Sequence, residues 1–319
     1  MRAFALTLLI SLVLGSGLPA KAENNATKIA NKINKSPADI IVIAHRGCHN
    51  PIPSLKLAGT APENSLETLE RCVALGVDVM ETDVRRTKDG YLVMIHDDSI
   101  DRTTNGQGKV SALTLDQIRQ FRLRADEGGE KAPLTDAQVP TLEEMLLRGQ
   151  GRIIFNLDVK DAIYAEVVAT VIRLGVADRV LVKNVAGAGS PPLSGIEPYR
   201  QVPFVPILAS ADRAGSDLVA VARHQGQADR LPVAYEAPYM DFRYLPDLAA
   251  EAKRQGVRLW VNSLFDGFIA GLGSDEMATR DPDGVWGRMI GAGVSMIQTD
   301  YPDALIAYLR HRQVGAVKR

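Results

Sequence analysis

The stretch IVIAHRG (41–47) decides the fold, because it is a short β-branched run that delivers a histidine and an arginine at its end. A run of that length and composition reads as a buried strand. Two more follow: VDVMETDVRR (77–86), with Glu81 and Asp83 two apart, and YLVMI (91–95), which delivers His96. Side chains two apart on a strand share a face, so Glu81 and Asp83 point the same way. Along that face Val77, Val79, Glu81, Asp83 and Arg85 grow polar, as on a strand entering a polar mouth. Lys88-Asp89-Gly90 is a hairpin signal between the second and third runs.

Beyond this stretch strands alternate with helices. Strands are predicted at 152–159, 179–183, 202–208, 232–236, 257–262 and 295–299. Helices are predicted at 62–74, 142–147, 162–174, 217–224, 245–255, 285–290 and 302–310, with Gly76, Gly175 and Gly256 as stops. With 91–95 set aside as a hairpin arm, eight strands remain. Regular alternation of this kind predicts an α/β protein built as a parallel (β/α)8 barrel, with a doubly wound open sheet as the alternative. Residues 97–140 break the rhythm. They are polar and turn-rich, with one short helix near 115–121, and read as an insertion after the second strand that shapes the substrate pocket.

At 319 residues with 46% hydrophobic and 24% charged side chains, the chain supports a sizeable core. Residues 1–22 read as a cleavable signal peptide: a positive start, an apolar run from Phe4 to Leu14, and Ala20-Lys21-Ala22 as a small-x-small site. The expected location is therefore periplasmic or secreted. Residues 23–38 read as a polar, lysine-rich lead-in, and 39–319 as one catalytic domain. No later apolar run is long enough to span a bilayer. Loss of Arg2 and Lys21 takes the net charge from −1 to −3, which gives no reason to expect nucleic-acid binding. Cys48 and Cys72 are free to pair in an oxidising compartment, and a buried or paired thiol is favoured over a reactive one.

If the strand ends share one barrel face, His45, Arg46, Glu81, Asp83, His96, Asp158 and Lys160 gather there, with Glu236, Asn262 and Asp300 near later strand ends. Glu81, Asp83 and Asp158 are hard oxygen donors suited to Mg²⁺ or Ca²⁺. Each has a bland reading: Asp158-Val159-Lys160 as a surface ion pair, Glu81 and Asp83 as a solvent-facing stripe, the histidines as core residues. Taken together they fit hydrolysis of a phosphodiester, with a cation and Arg46 and Lys160 on the phosphate and His45 and His96 moving protons.

These residues resemble the glycerophosphodiester phosphodiesterases. The resemblance lies in AHRG (44–47), PENS (62–65), ETDV (81–84), TKDG (87–90), IHDDSIDRTTNGQG (95–108) and QTDYP (298–302). It implies a barrel of the triosephosphate-isomerase type, a bound Ca²⁺ or Mg²⁺, and hydrolysis of glycerophosphodiesters to sn-glycerol 3-phosphate and an alcohol. It further implies His45 and His96 as the catalytic pair, Arg46 and Lys160 as phosphate contacts, and Glu81, Asp83 and Asp158, with Glu63 beside them, around the metal. Asp158 stands where the family usually has glutamate.

Two rivals share much of this pattern. One is a phospholipase of the same barrel type, resembling sphingomyelinase D or a phosphatidylinositol phospholipase C. The other is a secreted protein that binds phosphorylated solutes without turnover. No aromatic-rich loop is visible and aromatics are 5% of the chain, which favours a soluble headgroup diester over a lipid.

Overall fold

The computed structural model describes residues 24–317, so the signal-peptide expectation lies outside the described residues. Eight parallel strands form the central sheet: β1 (Ile41–Ala44), β2 (Val79–Arg86), β3 (Ile154–Val159), β4 (Val180–Ala186), β5 (Phe204–Leu208), β6 (Ala234–Glu236), β7 (Arg258–Asn262) and β8 (Met296–Thr299). Each pairs with its neighbour in chain order. Strand β1 also pairs with both β2 and β8, closing the ring. Closure decides between barrel and open sheet in favour of the (β/α)8 barrel.

Alternation along the strands sorts the interior into layers. The lowest holds Ile41, Ile43, Val79, Ile154, Leu181, Val205, Ala234, Trp260 and Met296 as one buried cluster. Two residues further along the strands the interior turns polar: Glu81, Asn156, Lys183, Glu236, Asn262 and Gln298 are all buried. The opposite faces, including Val42, Ala44, Met80 and Val84, pack against the surrounding helices.

Element boundaries differ from the sequence expectation in three instructive places. The helix expected from residue 62 begins at Leu66, because Ser65 caps it with its hydroxyl accepting from the Thr68 amide, and Asn64 before it is left-handed at φ 56°. Residues 283–287 form a π-turn ahead of a short helix, Arg288–Gly291. The region of the lead-in contains a helix, Asn25–Lys35, whose Ala26, Ile29 and Ile33 are buried against the lowest barrel layer. Its apolar side is narrow and its composition polar, so it is the buried contact with the barrel that makes this segment a helix rather than a polar lead-in.

Arg258 on β7 fastens that helix. Its guanidinium donates to the carbonyls of Ile33, Asp39, Lys32 and Ser36 at 2.7–2.9 Å, tying the last turn of the helix and the segment after it to the strand. The insertion carries its own small apolar cluster around Ile95, Ile100, Val110, Ile118 and Leu123. A disulfide joins Cys48, just after β1, to Cys72 on the helix Leu66–Leu75. Replacing Arg258 by Met removes the side-chain donor from all four carbonyls; those of Lys32 and Ser36 keep backbone donors, while that of the buried Ile33 loses its donor. The expected loss is about 3 kcal/mol, given about 1–3 kcal/mol for each buried polar group left unpaired. Urea unfolding measures it, and a loss below ~0.5 kcal/mol would refute the fastening role.

Candidate active site

Three carboxylates rise from two adjacent strands. Asp83 on β2 and Asp158 on β3 are partners in register, and Glu81 lies one inward position below Asp83. One oxygen from each of Glu81, Asp83 and Asp158 falls within 4.8 Å of the others. Such closeness is costly without cations. Lys160 Nζ lies 3.0 Å from Asp83 and 2.9 Å from Asp158, and Lys183 Nζ lies 3.4 Å from Asp158 and 3.2 Å from Glu236. Glu81 has less help. Burial, then the charges of Asp83 and Asp158, push its carboxyl up to about 7 against Lys183 and His45. Asp83 goes the other way: burial opposes its charge, but Lys160, His96, Arg46 and Asn64 hold it well below the usual range.

The loop after β1 serves this cluster with its backbone as well as its side chains. Arg46 sits at φ 50° and Gly47 at φ 86°, turning the chain so that the Arg46 amide donates to Glu81 at 2.9 Å. A Cβ on Gly47 would come within 2.6 Å of the Thr68 side chain and 2.8 Å of Met80, so only glycine fits the turn. The Arg46 guanidinium pairs with Glu63 at 2.9 Å and lies 3.7 Å from Asp83, while its Nε is buried without a hydrogen bond.

Residues 62–65 act as one unit. Glu63 takes guanidinium donors from Arg46 and Arg102. Asn64 donates to Asp83 at 2.8 Å and accepts from the Asp83 amide and the Thr82 hydroxyl, so it fixes the carboxylate's position. Ser65 begins the next helix. Glu63 therefore stands outside the close three-carboxylate group, tied to two arginines.

Each imidazole rests on a carboxylate. His45 Nδ1 lies 2.8 Å from Asp300 Oδ1; burial works against its charge, yet Asp300 and then Glu81 raise its pKa. His96 Nδ1 lies 2.8 Å from Asp97, which Arg102 grips in turn. Burial lowers the His96 pKa, and Arg46 and Lys160 add to that against Asp83 and Asp97. The two histidines thus differ in charge preference, and both sense the carboxylate cluster from its edges.

Several participants carry no local signal in the sequence. Lys183 reads only as the end of a strand. His49 lies in a proline-rich loop, yet its two nitrogens meet Asp126 at 2.9 Å and Asp300 at 3.1 Å. His45, His49, Glu127 and Asp300 also cluster within 4.8 Å, but there His45 Nδ1 and both His49 nitrogens are engaged by carboxylates. Asp275 supports Asp300 from behind by accepting its amide, and burial, with the charge of Asp300, raises the Asp275 carboxyl to about 6.

The pattern described as the glycerophosphoryl diester phosphodiesterase family matches residues 45–304. A glycerophosphodiester phosphodiesterase of Caldanaerobacter subterraneus subsp. tengcongensis is 28% identical over 280 residues, 85% of this chain and 98% of that protein. A solved glycerophosphoryl diester phosphodiesterase of Parabacteroides distasonis superposes with TM-score 0.65 at 22% identity, over 90% of this chain and 92% of that one. An Oleispira antarctica phosphodiesterase solved with the product sn-glycerol-3-phosphate gives TM-score 0.57 at 20% identity, over 85% and 96%.

The doubly bonded His49 yields a pH signature. Burial opposes its charge, but Asp126 and Asp300 lift its pKa to about 10, above the unfolded value of about 6.5. The folded state therefore holds this proton more tightly. Its stabilisation is complete below about pH 6.5 and fades as pH rises through about 10. The urea midpoint of His49→Gln should fall furthest below wild type near pH 6, with the gap narrowing by pH 9.5. A gap that does not narrow would show that folding does not raise the His49 pKa.

Proposed function

The chain belongs to the glycerophosphoryl diester phosphodiesterase family, and from that membership and its site geometry we propose that it hydrolyses glycerophosphodiesters to sn-glycerol 3-phosphate and an alcohol. The observation that carries the reading is the group of Glu81, Asp83 and Asp158, flanked by two imidazoles that each lean on a carboxylate. The three residues suit a divalent cation by donor chemistry, and the raised Glu81 carboxyl marks negative charge that the neighbouring lysines leave incompletely balanced. Ca²⁺ or Mg²⁺ held by them would neutralise the non-bridging phosphoryl oxygens.

The chain's own residues divide the remaining work. Arg46, whose buried Nε makes no hydrogen bond, and Lys160 offer donors to the phosphate. His45, whose charged form Asp300 favours, is suited to give a proton to the leaving alkoxide. His96, held toward its neutral form and oriented by Asp97, is suited to take the proton of the attacking hydroxyl. Proton transfers of this kind are each worth roughly 10²–10⁴-fold in rate.

The decisive assay is release of choline and sn-glycerol 3-phosphate from glycerophosphocholine. His45→Ala and His96→Ala are each expected to lower kcat by about 10²–10⁴-fold. Chelator should abolish turnover, and Ca²⁺ or Mg²⁺ should restore it. Activity indifferent to chelator would overturn the cation assignment, and absence of hydrolysis with any diester would leave a solute-binding protein instead.

The same proposal puts the mature enzyme in the periplasm or outside the cell. The Cys48–Cys72 disulfide supports an oxidising compartment. Mass spectrometry of exported protein should then find Glu23 as the first residue, whereas a retained Met1 would contradict export by cleavage.

A further inference from the structure

We propose that His49 is a positioning residue for leaving-group protonation, holding Asp300 against His45 and tying that pair to the insertion through Asp126. The proposal rests on the phosphodiesterase reading of the site and deepens it, because neither His49 nor Asp126 has a part in the steps assigned above.

Register alone brings His45 and Asp300 side by side. Strands β1 and β8 are parallel neighbours with Ala44 opposite Thr299, so the next residue on each is His45 and Asp300. The His45 amide donates to the Thr299 carbonyl at 3.2 Å, and the Asp300 amide donates to Asp275 Oδ2 at 2.7 Å, which fixes both backbones. Backbone placement does not fix a carboxylate, whose terminal torsion is broad and roughly two-fold. His49 supplies what is missing. Its Nε2 meets Asp300 Oδ1 at 3.1 Å, the same oxygen that His45 Nδ1 meets at 2.8 Å. That oxygen is therefore held from two directions.

His49 is itself held as a strut. It is 2% exposed, and its Nδ1 meets Asp126 at 2.9 Å. Burial opposes its charge, yet Asp126 and Asp300 lift its pKa to about 10, so near neutral pH both ring nitrogens carry a proton and donate. Its amide donates to the Gly47 carbonyl at 3.1 Å, and its carbonyl accepts from the Ala61 amide at 2.8 Å. On one side Cys48 is bonded to Cys72, and on the other Asn50 donates from its side chain to the Asp300 carbonyl at 3.1 Å. Asp126 is anchored too: its amide donates to the Ala61 carbonyl at 3.0 Å, and its carbonyl accepts from the Glu63 amide at 2.9 Å.

The consequence falls on one chemical event. As the phosphorus–oxygen bond breaks, the Nε2 proton of His45 passes to the leaving oxygen, while Asp300 keeps the Nδ1 proton in place. A misplacement of about 1 Å costs on the order of 10²-fold in rate, so an Asp300 free to turn would blunt this transfer. A leaving group that departs as a stable anion needs no proton and would not feel the loss.

The test compares kcat of His49→Leu on glycerophosphocholine, whose choline alkoxide must be protonated, and on the p-nitrophenyl ester of sn-glycerol 3-phosphate, whose p-nitrophenolate need not be. On the first, kcat should fall about 10–100-fold with KM unchanged, a part of the roughly 10²–10⁴-fold an acid supplies. On the second, kcat should stay near the wild-type rate. Asp126→Asn, at a half-exposed position, should show the same selectivity at smaller size, and it decides the matter if His49→Leu does not fold. Equal losses on both esters, as a merely structural imidazolium would give, overturn the proposal, as does no loss on either. His45→Ala, run beside them, separates the two readings. Selectivity there without selectivity in the His49 and Asp126 variants refutes the positioning role and leaves His45 as the acid. Where His45→Ala itself shows no selectivity, or no diester is hydrolysed, proton NMR of the resting protein decides. The low-field signal of His45 Nδ1–H, identified by its loss in His45→Ala, should be present in wild type and lost to exchange in His49→Leu. That loss supports the positioning role, and a signal that persists unchanged, or is absent from wild type, refutes it.

Discussion

Three carboxylates confined within 4.8 Å are the constraint around which this molecule is built. Like charges at that separation repel strongly in a poorly solvated interior. The surrounding structure answers the repulsion from every side. Lys160 arrives from the end of β3 and Lys183 from β4, the Arg46 amide arrives from the loop after β1, and Asn64 holds Asp83 by both its carboxylate and its backbone amide. The left-handed residues Arg46, Gly47 and Asn64 are the backbone cost of that convergence. A barrel suits the task because parallel strands end on one face, so donors remote in sequence meet without a long loop.

The same geometry separates two chemically identical side chains. His45 shares Asp300 with His49, in a chain of carboxylate and imidazole that reaches Asp126 in the insertion. His96 leans on Asp97, whose charge Arg102 already claims. One imidazole is therefore biased toward its charged form and the other toward its neutral form. Asp97, Arg102 and Asp126 all belong to residues 97–140, so the insertion orients the imidazoles to which proton transfer is assigned above.

Much of the fold was legible because strand and helix periods are local properties. Glu81 and Asp83 advertised their shared face by spacing alone, and the alternation of elements indicated a parallel barrel. Closure was not legible, since an open sheet yields the same pattern until β1 is seen to pair with β8. The polar layer was half visible. Glu236 and Asn262 stood out as strand-end polar residues, while Lys183 looked like a boundary because its partners Asp158 and Glu236 lie on flanking strands or beyond. The helix Asn25–Lys35 went unrecognised for a related reason: its few apolar residues gain meaning only against the barrel's lowest layer. Asp158 carried a legible oddity, being shorter than glutamate, and in the structure it is held between two lysines.

The anchoring of the first helix by Arg258 has a bearing on how the molecule assembles. Arg258 and Ile33, whose carbonyl it serves at 2.7 Å, are 225 residues apart. During synthesis from the N-terminus, the helix Asn25–Lys35 is made early yet must wait for one of the last strands before its end is secured. Contacts of such long range carry a large loop-closure entropy and form late. The bottom of the barrel is thus sealed near the end of folding, and until then its apolar interior stays open to solvent and to whatever accompanies the nascent chain.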